Sequence, residues 1–130
     1  MTAGLAAVNL ANKWLDMLAA TAFSAPANTY VKAHTGDPGS AGTANASAET
    51  TRKLLTWSAA SAGSKAITAT LPSWTPWAVG TETITHISVW DASTSGNFLY
   101  SFALTASKTV SNGDTLNLTS HTIAFTPIAA

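Results

Sequence analysis

The run Thr81-Glu82-Thr83-Ile84-Thr85-His86-Ile87-Ser88-Val89-Trp90-Asp91 constrains this chain more than any other segment. It has no Gly or Pro and is rich in β-branched residues, so it reads as a strand. Strict alternation puts Ile84, His86, Ser88 and Trp90 on one face, and Thr83, Thr85, Ile87 and Val89 on the other. Apolar residues on both sides predict a central strand covered on two faces.

The surrounding pattern is of the same kind. Short β-like runs at residues 28–35, 51–57, 65–71, 98–104, 116–119 and 121–126 are separated by turn signals. Gly36-Asp37-Pro38-Gly39 is a strong turn cluster, because Pro presets φ and Gly tolerates positive φ. Ser95-Gly96-Asn97 predicts a hairpin, and Ser111-Asn112-Gly113-Asp114 a further turn. Residues 40–48 are small, polar and unpatterned, which predicts a surface loop. Residues 72–80 hold Pro72 and Pro76 beside Trp74 and Trp77, and predict a loop or irregular edge. About six to eight strands at this spacing indicate an antiparallel β-sandwich, jelly-roll or immunoglobulin-like.

Ahead of Pro26 the period changes. Over residues 2–20, Ala7, Val8, Leu10, Ala11, Trp14, Leu15, Met17 and Leu18 cover one continuous helical face. Asn9, Asn12, Lys13 and Asp16 take the opposite one. The helix packs on the domain's own sheet or docks a neighbouring subunit. With 130 residues, one core is expected: an amphipathic helix over 1–25 and a sandwich over 26–130.

Charge narrows the function classes. Only 9% of residues are charged, against roughly 25% in typical soluble domains, and six basic and six acidic residues cancel. Such a surface has no strong field for nucleic acid or for an acidic membrane, and it favours association. No run approaches the ~20 apolar residues of a membrane span, and residues 1–10 lack the basic region of a signal peptide. With 26 Ala, 21 Thr and 14 Ser, small and hydroxylic side chains supply most of the contact chemistry.

Material for catalysis is scarce. The chain has no cysteine, and His34, His86 and His121 show no metal-ligand spacing. Asp37, Asp91 and Asp114 sit in or beside turns, where a carboxylate caps backbone N–H groups. No Gly-x-Ser-x-Gly elbow, phosphate loop or dinucleotide fingerprint is present. The expectation is a non-enzyme without a metal or cofactor. Trp14, Trp57 and Trp90 read as core. Trp74 and Trp77 read as a cap on the sandwich end, an intersubunit contact or a glycan platform. Together with Asp37 and Pro38 they are the interface candidates.

The order of motifs resembles a family of small actinobacterial phage proteins. Tyr30-Val31-Lys32-Ala33-His34-Thr35-Gly36-Asp37-Pro38-Gly39 is similar to that family's V-x-L-H-T-x-D-P-G strand and turn. Glu49-Thr50-Thr51-Arg52 matches its E-x-x-R strand, and Ala59 to Ser64 its A-A-S-x-G-S segment. Thr85-His86, Trp90-Asp91-Ala92 and Gly96-Asn97-Phe98-Leu99 match T-H-x-x-x-W-D-A-x-x-x-G-N-F-L. Ala103-Leu104-Thr105-Ala106-Ser107-Lys108 and Gly113-Asp114 complete the series. Residues 72–77 depart from the pattern. Members are usually labelled tail fibre or minor tail proteins.

The resemblance therefore implies a virion component that assembles with copies of itself and other phage proteins. Three positions are open: a tail subunit in a fibre or tip, a decoration protein on the major capsid protein, and a module binding a host-surface glycan.

Overall fold

The computed structural model describes residues 3–125. A helical segment spans residues 7–19: a π-helical stretch Ala7–Ala11, an α-helix Asn12–Asp16 and a 3-10 turn Met17–Ala19. Ala20 ends it in the left-handed region at φ 60°. Eight strands follow among the described residues: β1 Thr29–His34, β2 Lys53–Leu55, β3 Ser64–Ala66, β4 Ser73–Trp74, β5 Glu82–Trp90, β6 Phe98–Val110, β7 Leu116–Asn117 and β8 Thr122–Ala124.

The strands form a four-stranded sheet in the order β2-β1-β5-β6 and two ribbons, β3-β8 and β4-β7, all antiparallel. The expected class, mainly β behind an N-terminal helix, is the observed one. β5 is central, as its two apolar faces required. The second layer consists of two separate ribbons rather than one continuous sheet.

One side of the main sheet is apolar. Val31 and Ala33 of β1 lie opposite Val89 and Ile87 of β5, and these four share a buried cluster with Leu55, Leu99 and Tyr100. Trp74, Leu116 and Leu118 join the cluster from the ribbon side, and Leu10 joins it from the helix. The opposite side carries His34, Ser88, Trp90 and Phe98, and is covered by residues 35–48 and by the chain start.

Three expectations are corrected. Strict alternation grouped Ile84 with Ser88 and Trp90. Instead Ile84 shares the main cluster with Ile87 and Val89, whereas Trp90 packs with Ala6 and Phe98. The pairing is irregular at this point: Ile84 pairs Lys108 and His86 pairs Ala103, so residues 104–107 of β6 lie between the partners of two β5 residues that flank Thr85 alone. Residues 3–6 are extended rather than helical, because the Ala6 N–H donates to the Leu99 carbonyl at 2.7 Å and the Ser101 N–H to the Gly4 carbonyl at 2.9 Å. The strand expected over 65–71 is regular only at Ser64–Ala66, with Ile67 bridging Trp57. Residues 1, 2 and 126–130, to which the expected helix and sandwich extended, fall outside the described residues.

Candidate functional site

The four interface candidates occupy different places. Trp74 and Trp77 are 1% and 0% exposed. The Trp74 indole N–H donates to the Thr51 carbonyl at 2.8 Å, and that of Trp77 to the Gly80 carbonyl at 3.2 Å. Such burial leaves their rings no surface for another chain or for a sugar, and of the three readings the core one is the reading their burial fits. Pro38 is also fully buried. Asp37 is half-buried and caps its own turn, its Oδ1 accepting from the Gly39 N–H at 2.8 Å.

The motif residues, scattered along the chain, converge on the polar side of the sheet. His34 of β1 pairs across the strands with His86 of β5. His34 Nδ1 lies 2.9 Å from the Ala44 carbonyl, and Nε2 lies 2.7 Å from the Ser88 hydroxyl. Ser88 Oγ also accepts from the Trp90 indole N–H at 2.8 Å. Arg52 stacks 3.9 Å above the Trp90 ring and donates to the Ala92 and Ser95 carbonyls at 2.8 and 2.6 Å. It thereby braces the β5–β6 hairpin, whose turn is closed by Asp91 accepting from Asn97 through both carboxylate oxygens.

Residues 35–48 are not a loose loop. Thr35 and Ala44 N–H groups donate to the Asn45 and Pro38 carbonyls at 2.9 Å each, and Ser47 N–H donates to Ala33. The segment folds back over the sheet, burying Gly42 and Ser47.

A Ser–His pair at hydrogen-bond distance has the reach of a nucleophile and its base. Here both partners are 0% exposed, and the indole of Trp90 occupies the hydroxyl oxygen. The network is a core brace. Burial lowers the His34 pKa, with Lys32 and His86 adding to the effect against the opposing Ala44 hydrogen bond. Among the described residues every buried side-chain N or O has a partner, and no cluster of His, Asp or Glu is arranged to hold a metal.

His121 forms the second polar element of the core. Its ring stacks on Phe102 at 3.9 Å between centroids, and Tyr100 Oη lies 2.9 Å from its Nε2. Burial lowers its pKa from 6.5 to about 4 and raises that of Tyr100. A groove of about 750 Å³ runs beside this stack between residues 102–108 and 115–122, walled by Thr, Ser and Asn side chains together with Phe102, Leu104, Leu116 and Leu118. A second groove, about 580 Å³, is apolar and lies beside the helix, between Trp14, Phe23, Trp57 and Tyr100.

The structure thus offers a braced, charge-poor framework whose motif residues serve the fold, with open surface at the helix and along β6. The model of the family described as Podophage GP4 fiber I protein gp80 matches residues 6–126. The chain belongs to this phage fibre family. Its match takes in the helix, all eight strands and every motif residue named above except the chain start. No curated protein matches the chain. Membership in a fibre family makes this a phage structural component, in line with the resemblance read from the motifs.

One feature escaped the sequence and another did not. The His34–Ser88 contact joins strands 54 residues apart, and no local spacing announces it. The outward side of the helix was announced: its apolar arc spans about 180°, wider than the ~100° stripe that one packing surface covers.

Proposed function

We propose that the chain is a non-enzymatic subunit of the phage tail, a fibre or tip component that assembles with copies of itself and with other virion proteins. The family match over residues 6–126 carries this reading. The surface supports it: net charge is zero, charged residues are 9%, and large apolar side chains stand exposed along the helix. Such a surface gains by being covered and exerts little long-range repulsion on its neighbours. The N-terminal segment of residues 1–25, with its helix at 7–19, and the β-rich part that follows act as one unit. Of the earlier candidates, the turn holding Asp37 keeps a surface to offer.

The glycan reading rested on Trp74 and Trp77 and loses its basis with their burial. Immunogold labelling of intact particles with antibody against this chain tests the proposal. Gold at the tail is the expected result. Gold spread over the heads would overturn it in favour of a capsid decoration protein.

A further inference from the structure

β6 is an outermost strand of the main sheet, and part of its outer edge is already in use. The chain start lies antiparallel along it: Leu5 bridges Tyr100, the Ala6 N–H donates to the Leu99 carbonyl, and the Ser101 N–H to the Gly4 carbonyl. This edge therefore holds extended chain. Further along, residues 105–109 are exposed in an unbroken run, and residues 104–107 have no register partner in β5. Among the described residues, the N–H and C=O groups there are left to water or to a further strand.

Beside this stretch runs the groove of about 750 Å³, with residues 102–108 on one wall and 115–122 on the other. Leu104 and Leu118 contribute apolar surface to it, and Thr105 and Thr119 contribute hydroxyls. Lys108 is exposed and carries the one full charge of the lining, because partial burial keeps His121 neutral at physiological pH. A strand of ordinary length, about five or six residues, is as long as such a wall. The register irregularity and Lys108 are devices that keep a strand edge from pairing with another flat sheet, so a single segment suits the place better than a second sheet edge. A second copy has no free strand to give among its described residues: all eight are paired, and Phe125 lies against Trp14, beside the other groove.

We infer that the free edge of β6 and this groove take up one extended segment of a different virion protein, with alternating apolar and hydroxylic side chains and an acidic residue set against Lys108. The inference rests on the assembly reading above and names a surface and a binding mode for it. In strand addition of this kind the backbone pairing supplies affinity and the alternate side chains supply selectivity.

Hydrogen exchange read by mass spectrometry, on the free chain and on the chain in intact particles, tests it. The amides of residues 103–110 should exchange more slowly in particles. Successive N–H groups along a strand point to opposite sides, so one of Thr105→Pro and Ala106→Pro removes a donor that faces the groove. Neither residue has a β5 partner, so melting temperature should stay near the wild-type value. Incorporation into particles should fall about 10-fold or more in at least one of the two, because proline lacks the N–H and its ring hinders a neighbouring strand. Ala106→Ser keeps the N–H and should be incorporated like the wild type. Lys108→Glu, at an exposed position, should fold normally and be incorporated less.

Equal exchange at residues 103–110 in the free chain and in particles overturns the inference. So does normal incorporation of both proline variants, or of Lys108→Glu. Self-association of the free chain that the proline variants abolish would make a second copy the donor and overturn it too. Gold on phage heads would overturn the tail position and leave the strand addition standing; gold at the tail with unchanged exchange would do the reverse.

Discussion

The Ala44 carbonyl holds His34 in a single tautomer, with the Ser88 hydroxyl at its other ring nitrogen. The Ala44 carbonyl can only accept, so the ring proton of His34 sits on Nδ1, and Nε2 accepts the Ser88 hydroxyl at 2.7 Å. The same oxygen takes the Trp90 indole N–H. One serine thereby ties β1 to β5 and, through His34, ties the sheet to the segment that covers it.

Ser88→Ala should therefore cost far more than one methyl-sized change suggests. It leaves His34 Nε2 and the Trp90 N–H unpaired in a dry site, a loss of about 2–4 kcal/mol. Urea unfolding read by tryptophan fluorescence measures this directly. A loss below about 0.5 kcal/mol would mean that the two groups find other partners.

Trp74→Ala and Trp77→Ala should act on stability and not on a surface. Each empties a fully buried indole site, costing about 3–5 kcal/mol. Thermal melts should show a large drop in midpoint for both, with Trp74→Phe and Trp77→Phe losing less. Wild-type melting with altered assembly would instead place the rings at an interface.

Gly42 has positive φ, 71°, and a Cβ there would run into the Phe98 ring. Gly113, at φ 88°, has open space around it. Gly113→Ala should cost about 1 kcal/mol of backbone strain, and Gly42→Ala about 1–3 kcal/mol more because the ring must also move. Equal costs in denaturant titration would show that residues 35–48 yield readily.

Acid should destabilise the fold through its histidines. Unfolded His121 takes up a proton near 6.5, but the half-buried ring of the folded chain does so only near 4. Between these values the unfolded state binds more protons, so stability is intact above about pH 6.5 and falls as pH drops towards 4. His34, lowered in the same direction by burial, adds to the slope. Melting temperature followed from neutral to acid pH should fall across this window, and His121→Gln should flatten the fall. An unchanged slope in that variant would assign the acid response elsewhere.

What was legible in the sequence was local. Asp37, Asp91 and Asp114 were read as turn caps, and they accept from the N–H groups of Gly39, Asn97 and Ser111. These bonds span only two to six residues, so residue type and spacing suffice to imply them. The central place of β5 was legible because a strand with apolar side chains on both faces has no other stable setting.

Tertiary structure decided which side each residue faces and how far each element runs. The register between β5 and β6 shifts between Ile84 and His86, and Ile84 joins the cluster of Ile87 and Val89; a period-two pattern contains no mark of such a shift. Trp74 and Trp77 look like a loop pair in sequence, yet partners as distant as Thr51 and Asp114 draw them inside. The helix likewise carries apolar residues enough for two surfaces, and only the packed chain shows that Leu10 meets the core while Leu18 meets solvent. Turn geometry is set by bonds between near neighbours, whereas burial is set by the whole chain's competition for one core.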